Sequence, residues 1–262
     1  MERMHLFEFE DLPWFPQTIR ACMQDHLRFM GDLSAPAYKG FAEKLKSAME
    51  RSEQRKILDL CSGGGGPVRT ILQLLRAQNF EATACVTDLF PNVAAYRQLE
   101  RDSSGTIQGC DSSVNATNVP PEFHGFRLLA NGFHHFRPQE ARLVLADAVK
   151  QQQGIAVIEM VSRSPLAFFS VFIGLAMLFV TAPFVQPFRF SRLLFTYLLP
   201  LVPLCILWDG LVSCLRVYSP AELRALVSQL GNTTYEWDIG ELRVGPGVAT
   251  YLIGTPRLSN GM

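Results

Sequence analysis

The sequence predicts an α/β fold, a largely parallel sheet with helices on both faces, and three observations carry that reading. Short apolar runs of strand composition alternate with longer stretches of helical periodicity. One run, Ile57-Leu58-Asp59-Leu60, ends in a turn containing four successive glycines and then opens a helix. The last two runs, Thr233 to Leu242 and Val248 to Gly254, are joined through Arg243-Val-Gly-Pro-Gly247 as an antiparallel hairpin.

Length and composition bound the function. A chain of 262 residues is long enough for one large domain with its own core. Its formal net charge is zero, which argues against a nucleic-acid partner, since that normally demands a basic face. Six cysteines show no C-x-x-C pair and no metal-ligand spacing, so they read as reduced thiols of a cytosolic protein. The N-terminus is too acidic, and too poor in apolar residues, to read as a signal peptide.

Residues 5–16 form an aromatic, proline-punctuated arm carrying Phe7, Phe9, Trp14 and Phe15 among acids. Thr18 to Met30 and Pro36 to about Ser52 follow as amphipathic helices. Such an arm packs against the sheet edge or covers a ligand as a lid. Ile57, Leu58 and Leu60 then make the first buried strand. In the turn that follows, glycines admit close backbone approach, and the helix N-terminus beyond Pro67 favours a carboxylate or phosphate. A dinucleotide-binding fingerprint carries its acid about 20 residues after the glycines. Here Asp59 precedes them.

Asp59, Cys61, Gly63 and Gly65 together resemble motif I, D/E-x-G-x-G-x-G, of the class I S-adenosylmethionine-dependent methyltransferases, with Cys61 in place of the first glycine. The resemblance spans about Lys56 to Arg257 and implies a seven-stranded, Rossmann-like sheet with N-terminal cover helices. It also implies S-adenosylmethionine as cofactor, with Ser62 in the binding turn. Asp88, at the end of the strand Ala82 to Asp88, then matches the acceptor of the ribose hydroxyls, with Leu89 and Phe90 against one face of the adenine; a helix N-cap is the plainer account. Asp111 and Ser112, ending a third strand from Thr106, match the adenine contacts, or Asp111 is a turn residue. Asn131 to His135 follow the fourth strand and resemble motif IV of small-molecule methyltransferases. His134 or His135 is then a general base, a positioning donor or a packing residue. Adjacent histidines should point apart, so no metal site is expected. No Asn/Asp-Pro-Pro-aromatic run of a nucleic-acid N-methyltransferase is present.

Pro138 to Gln153 reads as a helix and Ile155 to Val161 as a central strand, with Glu159 directed at the site or its rim. From Pro165 to Phe188 no residue is charged, nor from Leu193 to Trp208. The first run is long enough to cross a bilayer, but the second spans only about 24 Å as a helix against a core of roughly 30 Å. The expectation is a monotopic apolar hairpin dipping into one leaflet from the cytoplasmic face, with Arg189 and Arg192 of the linker at headgroup level. A two-pass span, a homodimer interface or a lid over a greasy pocket are the alternatives. Asp209 and Arg216 share a helical face and can pair, and Asp209, Ser213, Arg216 and Tyr218 are candidates for acceptor contact. Ser219-Pro-Ala-Glu222 is a capping box opening a further helix.

The chain thus divides into an arm with cover helices (1–54), a cofactor-binding core (55–164), an apolar hairpin (165–208) and the return of the core (209–262). The expected activity is methyl transfer to a small lipophilic acceptor drawn from a membrane, with His134, His135, Glu159 and Tyr218 as catalytic candidates. A non-catalytic membrane adaptor is the alternative.

Overall fold

Residues of strand propensity pair into one mixed sheet in a computed structural model that describes residues 1–231 and 234–257. The strands are β1 (Lys56–Asp59), β2 (Thr83–Asp88), β3 (Ile107–Ser113), β4 (Phe126–Ala130), β5 (Ile155–Glu159), β6 (Tyr235–Val244) and β7 (Gly247–Pro256), in the order β3-β2-β1-β4-β5-β7-β6. β1 to β5 run parallel, while β7 is antiparallel to both β5 and β6. The mixed seven-stranded sheet and the closing hairpin are as the sequence predicts; Thr233, the expected start of the hairpin, lies outside the described residues. Strand order reverses between β1 and β4, so a crevice opens there at the carboxyl ends.

Alternation along each strand divides two cores. Ile57, Leu128 and Ala156 face α2 (Lys39–Arg51), α3 (Val68–Arg76) and α4 (Val93–Asp102). Leu58, Leu129 and Val157 face α5 (Pro138–Lys150) and α9 (Pro220–Ser228).

After β5 the chain builds three helical pieces: α6 (Pro165–Thr181), α7 (Phe190–Leu193) continuing as a π-turn to Leu198, and α8 (Leu201–Arg216). A third apolar cluster packs them on α1 (Gln17–Leu33), through Ile19, Cys22 and Met23 against Leu178, Val202 and Ile206. Each large apolar side chain fully buried there contributes about 1.5–3 kcal/mol. The outer faces stay bare: Phe172, Phe184, Phe190, Leu198 and Leu204 are exposed.

No single helix among the described residues is long and apolar enough to cross a membrane. α6 stops at Thr181, and Phe190–Leu198 with Leu201–Arg216 reaches that length only as a pair bent by 80°. The first apolar run therefore does not form the single bilayer-length helix its length allows. α8 runs without a break past Trp208 to Arg216.

The linker arginines also differ from expectation. Arg192 is fully buried and Arg189 mostly so, and both reach Oδ2 of Asp25 on α1, at 3.1 and 2.6 Å. Arg192 also donates to the carbonyls of Ala182, Val185 and Pro187, which lie between α6 and α7. A buried carboxylate and these unpaired carbonyls draw the guanidinium inward more strongly than water holds it out. Asp25→Ala leaves Arg192 buried without its counter-charge, so chemical denaturation should show a loss of about 3–5 kcal/mol. Arg192→Met in the same background should recover part of it.

Candidate active site

At the β1/β4 crevice the glycine turn is held by side chains behind it. Cys61 sits at φ +59°, a left-handed conformation that costs most residues about 1–2 kcal/mol and explains why glycine suits this position. Ser62 Oγ donates to Asp59 Oδ2 at 2.7 Å and accepts from the Thr87 amide at 3.2 Å. Burial pushes the Asp59 carboxyl up to about 7, with the Ser62 bond opposing. Asp59 is thus a buried anchor of the turn that lies behind the cleft wall. The Gly63 amide donates to Asp88 Oδ2 at 2.7 Å, and the Phe90 amide to Asp88 Oδ1 at 2.8 Å. Asp88 clamps the exits of β1 and β2 together, yet a carboxylate has about four acceptor sites and keeps capacity for a ligand. A Cβ on Gly64 would lie 2.7 Å from the carbonyl oxygen of Gln24, so only glycine lets α1 close over this turn.

The cleft measures about 480 Å³, a volume suited to a nucleoside-sized ligand with space beside it. Of the residues singled out in the sequence, Cys61, Ser62, Gly63, Asp88, Leu89, Asn131 and His135 line it, as does Arg216. Asn131, at φ +56°, donates to the Tyr38 hydroxyl at 3.1 Å and accepts from the Met160 amide at 2.8 Å. Gly65 packs behind the wall against Leu99. Asp111 and Ser112 do not line the cleft; Asp111 is on the surface, 3.6 Å from Arg97. The cause is a register shift between β2 and β3. Val86 pairs with Gly109 but Asp88 with Ser113, so β3 runs on past Asp111, and Val114, Asn115 and Ala116 reach the cleft instead.

Sequence reasoning missed the α1 contribution. Gln24 and Arg28 are buried, line the cleft beside the glycine turn, and leave Oε1 and Nε respectively without a partner among the described residues. Polar residues four apart within an otherwise core-facing stretch are the signal that could have found them.

The four catalytic candidates separate. Glu159 is buried under the β4 exit loop, accepting from the His134 amide at 2.9 Å and facing His134 Nδ1 at 2.8 Å. Tyr218 donates to the Phe136 carbonyl at 2.8 Å and lies under the Arg3 guanidinium, away from the cleft; burial pushes it up to about 12. His135 alone opens on the cleft, with Nδ1 2.7 Å from Asp11 Oδ1 and 3.2 Å from Glu8 Oε2. Burial alone would lower it, but Glu8 and Asp11 lift it to about 10. The two histidine rings do not diverge as expected; they stack at 4.4 Å and 29°. With Glu8 they bring three donor atoms within 4.8 Å of one another.

Asp209 and Arg216 do not pair. Asp209 accepts from the Phe9 and Glu10 amides at 2.8 and 3.2 Å, and Ser213 donates to Glu8 at 3.2 Å. Arg216 reaches Asp11 at 2.6 Å, Glu8 at 3.2 Å and the His135 carbonyl at 2.6 Å. The arm competes for both side chains and wins, because its turn offers free amides and two carboxylates where an i, i+7 pair offers one contact.

The sequence matches no family model, and no curated protein matches it. Among solved structures it is similar to the plantazolicin methyltransferase BpumL in complex with SAH, at 11% identity and TM-score 0.53, over 92% of this chain and 96% of that one. It is also similar to the CMeT domain of the citrinin polyketide synthase, at 13% identity and TM-score 0.52, over 86% and 55%. An O-methyltransferase family protein from Burkholderia thailandensis aligns at 16% identity and TM-score 0.47, over 88% of this chain and 59% of that one. The chain thus spans under two thirds of that protein's length, and at these identities the shared property is the fold.

Burial, then Asp209, pushes Glu10 up to about 8, and its Oε1 is buried without a partner among the described residues. Folded protein then keeps a proton that unfolded chain releases near 4.5, so stability should fall as pH rises from about 4.5 to 8. Denaturation midpoints across that range should fall less steeply in Glu10→Gln than in the wild-type protein.

Proposed function

We propose that the protein is an S-adenosylmethionine-dependent methyltransferase acting on a small lipophilic acceptor at the cytoplasmic face of a membrane. The observation that carries the reaction class is Asp88, joined to the glycine turn at the sheet's switch point and open to the cleft. The bound cofactor would supply an electrophilic methyl group on its sulfonium. Asp88 would accept its ribose hydroxyls, Leu89 and Phe90 would lie against one face of the adenine, and Asn115, on the cleft wall, would serve the ring. Arg28 and Gln24, each with an unused polar atom beside the turn, suit the charged amino-acid end.

Methyl transfer demands alignment above all, plus a base only where the nucleophile carries a proton. His135, held between Glu8 and Asp11, is cationic near neutral pH. In that state it orients an acceptor oxygen as a donor and does not take its proton.

Two observations support the lipophilic acceptor. The outer faces of α6 to α8 leave Phe172, Phe190, Leu198 and Leu204 exposed together with other large apolar side chains, which suits contact with lipid. Phe7, on the cleft wall, stacks on Trp208 of α8 at 5.2 Å, so the rim of the cleft is continuous with that surface. All six cysteines are unpaired, in keeping with a reducing compartment.

Titration calorimetry tests the reaction class. The wild-type protein should bind S-adenosylhomocysteine in the micromolar range and NADH not at all, with Asp88→Ala weakening the former at least tenfold. Unchanged affinity in Asp88→Ala would remove the ribose assignment. Binding of neither ligand would favour the adaptor reading. Flotation with phosphatidylcholine–phosphatidylglycerol vesicles tests the membrane part: the protein should float, and Phe172→Glu/Phe190→Glu should not. Wild-type protein left at the bottom would remove the membrane from the proposal and leave the transfer reaction.

A further inference from the structure

The polar cluster beneath the acceptor end of the cleft holds, beside His135, ligand atoms that methyl transfer does not use. His134 is buried, and its Nδ1 lies 2.8 Å from Glu159, whose carboxylate can only accept there. Nδ1 therefore carries a hydrogen, and Nε2 is the nitrogen turned to Oε1 of Glu8, at 3.8 Å, beyond hydrogen-bond length. Ser213 and Arg216 also hold that oxygen, so the Glu8 carboxylate is fixed in place beside His134 Nε2, within reach of one ion. The second oxygen of Glu8 is 3.2 Å from His135 Nδ1, and Asp11 Oδ1 adds a fourth donor at 2.7 Å from the same nitrogen.

We infer that Glu8, His134 and His135 form a binding site for a divalent transition-metal ion, with Asp11 Oδ1 at its edge and an open side toward the cleft. Ligands about 2.0–2.2 Å from a tetrahedral ion stand roughly 3.3–3.6 Å apart. The three ligand atoms lie within 4.8 Å of one another, so the side chains close by at most about 1.5 Å to meet that spacing. Glu159 supplies the carboxylate that fixes the tautomer and orientation of a ligating histidine. Arg216 holds one oxygen each of Glu8 and Asp11, leaving the others turned to His135. Arg3 binds backbone carbonyls of the same loop and stays outside the donor set. Two imidazoles and a carboxylate with a free position are a donor set for zinc or ferrous iron and unsuited to magnesium or calcium. Binding displaces the hydrogen that His135 Nδ1 otherwise gives to Asp11.

The test uses the full chain after dialysis against EDTA. Zn²⁺ titrated against a chromophoric chelator should bind at one ion per chain, and Co²⁺ should give the intense visible absorption of a tetrahedral or five-coordinate site. His134→Ala and Glu8→Gln should each weaken Zn²⁺ at least 100-fold. Glu159→Gln, which touches no ion, should weaken it about 10–100-fold. His124→Ala, on the surface, should leave it unchanged. Absence of stoichiometric Zn²⁺, a pale octahedral Co²⁺ spectrum in the wild-type protein, or equal affinity in folded Glu159→Gln and wild type would each overturn the site. Binding of S-adenosylhomocysteine is measured on the same samples. Retained nucleoside binding without metal would sink this inference alone, and metal binding without nucleoside would sink only the reaction class.

Discussion

A guanidinium with almost no access to water organises the histidine side of the cleft. Arg216 ends α8 and binds two carboxylates of the N-terminal arm and the backbone of the β4 exit loop. Removing both carboxylates would leave a buried charge uncompensated, which is costlier than the pairing itself is stabilising. The arm, the apolar insertion and the histidine loop therefore keep a common position. Glu8 reaches His134 and His135 only because Arg216, Ser213 and Asp209 hold residues 8–11 in a tight turn against α8.

A second buried charge does the same on the glycine-turn side. Asp25 on α1 takes Arg189 and Arg192 from the insertion, while its other oxygen accepts from Asn92. Asn92 caps α4, just beyond the Asp88–Phe90 turn, and its own oxygen accepts from Arg189. One face of α1 thus covers the glycine turn through Gln24 and Arg28, and another receives the insertion through Ile19, Cys22 and Met23. Any force on the insertion, such as immersion of its bare outer face in lipid, acts on a helix that is also a wall of the cleft. The physical route is two hydrogen-bonded ion pairs and an apolar seam.

Much of this was legible in the chain. The short apolar runs gave the strands, and the glycine turn after Asp59 located the ligand cleft, because only a backbone without Cβ atoms can pass so close to α1. Asp88 was readable from its place at a strand end. Asp111 was misplaced for a definite reason: spacing assumes an even ladder, and the register shift between β2 and β3 is a property of the pairing, which neither strand carries by itself. The arginines of the linker were misread because solvation rules favour an exposed charge unless a partner waits inside, and that partner, Asp25, lies on a helix far away in sequence.

The sequence by itself determined the sheet, its closing hairpin, the position of the cleft and the apolar character of the insertion, since these follow from local periodicity and backbone freedom. Tertiary structure alone decided which charges meet. Glu8, His134, Glu159 and Arg216 lie on four separate segments, each unremarkable where it stands in the chain. Long-range packing brings them together, and once water is excluded each can be satisfied only by the others.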